Sequence, residues 1–165
     1  SHLDVIVFLI AIMTIVGYLE EDKFFKYITT EVLRRVGIIF RAVFIALIFL
    51  AGFLAPLVDE VTSILIILSL IFALSSRFNI DPFPLVLASI FATNIGSAIT
   101  PIGNPVGVLI AFECGFTFID FLGWLAPISL LSLLIATFIL LQQYNSYITS
   151  GTTEMGRKSL SRTKN

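Results

Sequence analysis

The stretch Asn94-Ile95-Gly96-Ser97-Ala98-Ile99-Thr100-Pro101-Ile102-Gly103-Asn104-Pro105 decides how this chain folds. It lies inside a segment, 82–112, that carries no charged residue and is longer than the ~20 residues one membrane-spanning helix needs. Gly96, Pro101, Gly103, Pro105 and Gly107 interrupt helical hydrogen bonding in its middle. Non-helical backbone at membrane depth persists only where it is buried in protein or lines a cavity. The half-helices beside such a break end in unpaired N–H and C=O groups, which attract anions and cations respectively. Asn94, Ser97, Thr100 and Asn104 add neutral polar ligands. Any one of these residues reads most simply as a kink; their clustering favours a binding site.

Outward from the break, the chain has the composition of a membrane protein. Hydrophobic residues make up 58% and charged residues 13%, about half the charge a soluble domain carries on its surface (~25%). The mean hydropathy is +1.04. Uncharged runs occupy 42–58, 61–76, 82–112 and 121–141, and 3–19 is apolar except for Asp4 at its edge. These predict an all-α, polytopic membrane fold. Pro127 predicts a kink in the last span. In 23–40, Phe25, Ile28, Val32, Val36 and Ile39 recur at helical spacing with Lys26, Glu31, Arg34 and Arg35 between them. That pattern fits an amphipathic helix, either in the membrane interface or as a soluble connector. The membrane domain is read as 1–149, and 150–165, which has no apolar pattern, as a disordered tail or linker. The first residue is Ser1 and the apolar pattern begins at once, so the chain reads as a fragment or a processed form.

A second stretch carries charge between apolar arms: Pro56-Leu57-Val58-Asp59-Glu60-Val61-Thr62. Length alone leaves two readings. The arms 42–58 and 61–76 either cross fully, leaving the carboxylates in an external loop, or form a re-entrant hairpin that holds them at membrane depth. Two charges there would cost roughly 5–7 kcal/mol at about 2.5–3.5 each, which persists only where they line a wet cavity or hold a cation or proton.

Charge placement predicts the topology. If 3–19 crosses once, 42–76 enters and returns, and 82–112 and 121–141 each cross, all ten basic residues fall on one side. By the positive-inside rule that side is cytoplasmic, with the N-terminus outside and the C-terminus cytoplasmic, in a plasma or cell membrane.

Several function classes are excluded. One histidine, His2, and one cysteine, Cys114, cannot build a zinc-type cluster from nitrogen and sulfur ligands. There is no phosphate-binding Gly-x-x-x-x-Gly-Lys-Ser/Thr motif and no dinucleotide motif. No Ser/His/Asp arrangement is available, so an enzyme is not expected, nor a nucleic-acid partner.

At this point the chain resembles the ion transporter superfamily, which includes arsenite permeases, certain sodium/proton antiporters, the P protein and citrate transporters. Val16-Gly17-Tyr18-Leu19-Glu20 resembles the family's first span end, and Leu57-Val58-Asp59-Glu60-Val61-Thr62 its hairpin tip. The run from Asn94 to Ile110 resembles its "NIGxxxTxIGxPxNxxI" break. Phe116-Thr117-Phe118-Ile119-Asp120-Phe121 and Leu125-Ala126-Pro127 resemble the segment that follows. Order and spacing agree over about 3–141.

The resemblance implies one repeat of an inverted-repeat transporter, with a re-entrant helical hairpin and a broken transmembrane helix. It implies an ion and substrate site made by Asp59, Glu60 and Thr62 at the tip and Asn94, Gly96, Ser97, Thr100, Gly103 and Asn104 at the break. The same residues would hold Na⁺ if Na⁺, rather than H⁺, is the coupling ion; no other cofactor is implied. Two departures stand out: the tip's usual Asn is Glu60, which adds a charge, and the usual Asn near the end of the break is Gly107, which removes a ligand.

The reading is a secondary active transporter half that moves a small inorganic ion or carboxylate coupled to Na⁺ or H⁺, as symporter or antiporter. Its partners would be the lipid bilayer, a second repeat on the same or another chain, and the small ion substrate. The competing reading is a non-transporting membrane subunit or relic that packs against another chain.

Overall fold

The computed structural model describes residues 39–162, with side chains as far as Glu154, and isolated positions between 6 and 31. The expected first span at 3–19 and the amphipathic segment at 23–40 lie outside the described residues apart from those positions. Every regular element among the described residues is helical.

Helix α1 spans Phe40–Val58 and α2 spans Glu60–Phe78, joined at the single residue Asp59. Both are apolar along their length, as the uncharged runs predict. A helical Asn79 in the left-handed conformation ends α2, a role Asn takes because its short polar side chain tolerates that region. The chain then turns through Ile80, whose carbonyl accepts from the Ser75 hydroxyl. Helix α3, Phe83–Ser97, starts on the Asp81 carboxylate, which accepts the Phe83 N–H at 3.0 Å. The break occupies 98–104, and α4, Pro105–Cys114, resumes beyond it. The broken helix is therefore present where its glycines and prolines predict it.

Helix α5 runs from Phe118 to Gln143. A Thr117–Asp120 capping box opens it. The irregularity expected at Pro127 takes the form of a π turn over Phe121–Leu125, just before that proline. Pro127 has no N–H for the Gly123 carbonyl, and a wider turn accommodates the missing bond.

The expected disordered tail is corrected: α6 is a helix over Asn145–Arg162. It holds because its first turns pack on the base of the hairpin. Ile148 is buried, Tyr147 meets the Phe40 ring edge-on at 5.3 Å, and the Tyr147 hydroxyl donates to the Asp81 carbonyl. Burial, and next the Asp81 charge, push the Tyr147 phenol well above its usual range, so it remains a donor. Sequence periodicity misses this contact because only one short face is apolar.

Helix α1 is the central element. Phe44, Leu47, Ile48, Ala51 and Ala55 on it are fully buried, and α2, α3, α5 and α6 all pack against it. Between apolar helices in lipid there is little hydrophobic driving force, so close fit between small residues dominates. Gly52 on α1 meets Gly96 on α3 so closely that a Cβ at Gly96 would lie 1.9 Å from the Gly52 carbonyl oxygen. Pro56, inside α1, cannot donate to that carbonyl. The same proline thus frees the oxygen that Gly96 packs against.

The outer faces of α4 and α5 stay apolar and open, with Val106, Leu109, Trp124, Ile128, Leu131 and Phe138 exposed. Among the described residues α4 buries only Gly107 and Val108.

The α6 contact is testable. A Cβ at Gly151 would lie 2.4 Å from the Phe40 ring. Gly151→Val should undock α6 and speed tryptic cleavage after Arg157 or Lys158 by about tenfold, equivalent to ~1.4 kcal/mol of local opening and within the usual range for overpacking. Limited proteolysis of the full-length protein measures it.

Candidate functional site: the junction of hairpin tip and helix break

The tip is built around Asp59. Its N–H closes α1 on the Ala55 carbonyl at 3.1 Å. Its carboxylate caps α2, accepting from the Val61 and Thr62 N–H groups at 2.8 and 2.9 Å and from the Thr62 hydroxyl at 2.7 Å. Orphan amides at a helix start favour an acidic cap in this position. The backbone at Asp59 has φ 130° and ψ 165°, a region that side chains rarely adopt and that costs about 1–3 kcal/mol.

The break folds back beneath this tip. Gly103 lies against the Ser97 backbone, where a Cβ would come within 2.1 Å of the Ser97 oxygen. Asn104 then caps α4, its side-chain oxygen accepting the Gly107 N–H at 2.8 Å. Gly107 therefore serves through its amide, at the position where a side-chain ligand is absent.

Three hydrogen bonds join tip and break. The Glu60 N–H donates to the Gly103 carbonyl at 2.9 Å. The Thr100 hydroxyl donates to the Pro56 carbonyl at 2.7 Å. The Ser97 hydroxyl reaches the Glu60 carboxylate at 3.1 Å and also the Asn94 carbonyl at 3.0 Å. Asn104 donates its side-chain amide to Ser97 at 3.2 Å.

The expected site residues sort into distinct roles. Glu60, Ser97, Thr100, Gly103 and Asn104 converge at the junction, and Thr62 braces Asp59. Gly96 and Gly103 are there because no side chain fits. Asn94 stands apart: its side chain is exposed and donates back to Ile90 at 2.8 Å. Sequence reading missed Gly52 and the Pro56 carbonyl as parts of this architecture. Pro56 is the available signal for Gly52, since a proline frees the carbonyl four residues before it; nothing in the sequence marks the Pro56 carbonyl. Buried hydroxyls at Ser63, Ser89 and Thr93 also escaped notice. Among the described residues the nearest basic side chains along the hairpin, Arg41 and Arg77, belong to its base, about 27 Å from the tip along either helix. The junction is thus acidic and oxygen-rich.

The model of the family described as "Citrate transporter" matches residues 2–162. The chain belongs to the citrate transporter family. It is a membrane protein of a transporter family, and three helices long and apolar enough to cross a membrane independently support membrane residence. Among relatives, an uncharacterized transporter of Mycobacterium tuberculosis is 31% identical over 143 residues, covering 87% of this chain and 33% of the relative. An uncharacterized transporter of Methanocaldococcus jannaschii is 29% identical over 142 residues, covering 83% and 39%. The human P protein is 32% identical over 102 residues, covering 62% and 12%. The chain spans about a third of the length of the first curated relatives it matches. No solved structure matches it.

The packing role of Gly96 can be separated from a ligand role. Gly96→Ala should reduce folded protein, destabilising by about 1–3 kcal/mol or more as expected for overpacking. Asn94→Ala, which changes only an exposed side chain, should leave stability within ±0.5 kcal/mol. Thermal unfolding of both purified variants reads the contrast.

Proposed function

We propose that this chain is one repeat of a secondary active transporter, and that the tip–break junction is its ion and substrate site. It moves a small inorganic ion or carboxylate, coupled to Na⁺ or H⁺. The observation that carries the reading is the bond from Ser97 to Glu60, across 37 positions of sequence, which ties an acidic tip to a helix break. Broken helices pointing at one spot are how transporters assemble ion sites near the bilayer midplane. The family's description supports the carboxylate side of the substrate reading.

Membrane depth of the tip is supported by what it touches. Helix α3 is 15 residues, about 22 Å at 1.5 Å per residue. The tip meets its far end, in the middle of the uncharged run 82–112. A ~30 Å hydrocarbon core would enclose that level. By length each arm is also able to cross fully; contact with the break favours re-entry from the basic, cytoplasmic side.

A second repeat, fused or separate, covers the open apolar faces and completes the pathway. The chain sits in a cell membrane with its N-terminus outside and its tail inside.

Two measurements test this. In proteoliposomes of the full-length protein, Glu60→Gln should lower gradient-driven flux by at least about tenfold, ~1.4 kcal/mol of barrier, with insertion unchanged; undiminished flux refutes a coupling role. In intact cells, Ser159→Cys should resist an impermeant thiol reagent until the membrane is opened. Ready labelling from outside overturns the orientation.

A further inference from the structure

Aromatic residues crowd the turn between α4 and α5: Phe112, Phe116, Phe118, Phe121 and Trp124. The π turn decides which of them face outward. On α5 the buried line runs through Ser129, Leu133, Thr137 and Leu140. Three turns of a regular helix take about 11 residues, so the line would reach back from Leu133 to Leu122. Instead Leu122 is exposed and Phe121 is only 2% exposed. The wider turn over Phe121–Leu125 accounts for this shift, because it takes up one extra residue. Phe121 is thereby turned inward, and the Phe116 ring braces it edge-on at 6.3 Å. Phe118, Ile119 and Trp124 are left outside, Trp124 at 72% exposure.

Helix lengths set the level at which these side chains lie. Helices α3 and α4 have 15 and 10 residues, about 37 Å of helix at 1.5 Å per residue. Helix α5 has 26, about 39 Å. Both paths exceed a ~30 Å hydrocarbon core. With the base, marked by Arg77 and Asp81, at one boundary, the α4–α5 turn reaches the layer beyond the other. Two carboxylates confirm that level. Glu113 is exposed, and Asp120 is tied to the turn by accepting the Thr117 N–H and hydroxyl at 2.8 and 2.6 Å. Carboxylates are costly in hydrocarbon, and bare apolar side chains are unfavourable in bulk water. The headgroup layer suits both, and Trp is favoured there because its ring is apolar and its N–H finds a partner.

We propose that Phe118, Ile119 and Trp124 form an anchor seated in the headgroup layer of the outer leaflet, with the π turn setting which side chains face the lipid. The choice of leaflet rests on the orientation proposed above; the anchor itself does not. This assigns the far end of the open apolar surface to lipid and leaves the parts of α4 and α5 nearer the break to the second repeat. The anchor holds the outer end of the broken helix at a fixed depth, opposite the base that α6 clamps.

Tryptophan fluorescence of the full-length protein tests the proposal. The protein is reconstituted in phosphatidylcholine brominated either near the headgroup end of its chains or near their methyl ends. The Trp124 signal is the difference between wild type and Trp124→Phe. It should be quenched at least about twofold more by the shallow bromine than by the deep one, as an interfacial side chain requires. Equal or stronger deep quenching overturns the proposal. So does a signal that neither bromine quenches, whether a second repeat or second copy covers Trp124 or the residue stands in water, where aqueous iodide would quench it. Pro127→Ala restores the missing helical donor and should bring Leu122 back onto the buried line, reducing the shallow quenching of Trp124 by about twofold. Unchanged quenching in a folded Pro127→Ala protein overturns the role given to the π turn.

Discussion

An interrupted helix in apolar surroundings must find partners for the backbone groups it exposes, and in this protein the hairpin tip supplies them. The Gly103 carbonyl takes the Glu60 N–H, and the Pro56 carbonyl takes the Thr100 hydroxyl. Each element solves the other's problem. The Glu60 amide, drawn to Gly103, leaves the Pro56 carbonyl at the end of α1 without a helical donor, and the break leaves α3 short of a continuing helix. Unpaired groups of this kind cost several kcal/mol each in hydrocarbon, so tip and break hold together as one unit.

Close backbone approach makes the pairing geometrically feasible. The hairpin can seat on the break only because α1 and α3 cross at Gly52 and Gly96, where neither has a side chain. Small residues at 51, 55, 88 and 92 continue that contact on both helices. In a membrane this tight seam replaces the hydrophobic core of a soluble protein, because side chains facing lipid are already out of water. The exposed faces of α4 and α5 are therefore consistent with a bilayer, and with the repeat arrangement proposed for the complete transporter.

Polar side chains gather at the junction of tip and break. Asp59 and Glu60 are neighbours in sequence, yet one carboxylate is consumed by the fold and the other is left facing the break. Membership of the citrate transporter family fits a pathway built around such a junction. Asn94 shows the converse: it stands first in the break motif, but its side chain points away and serves its own helix.

Much of this architecture was legible in residue order. Long uncharged runs determined that the chain is helical and membrane-embedded, because a charge in hydrocarbon is too costly to tolerate at random. Clustered Gly and Pro at 96–107 determined where the spanning helix must break, since neither residue sustains helical hydrogen bonding. Local pattern also located both carboxylates between two arms. It failed at 150–162, where a helix forms through contact of Tyr147, Ile148 and Gly151 with a distant hairpin base. Only the tertiary structure decided which polar residues meet, that Gly96 is a packing residue, and that Asp59 caps a helix while Glu60 meets Ser97. Those outcomes depend on distances between segments some forty residues apart, and periodicity along a single helix carries no information about them.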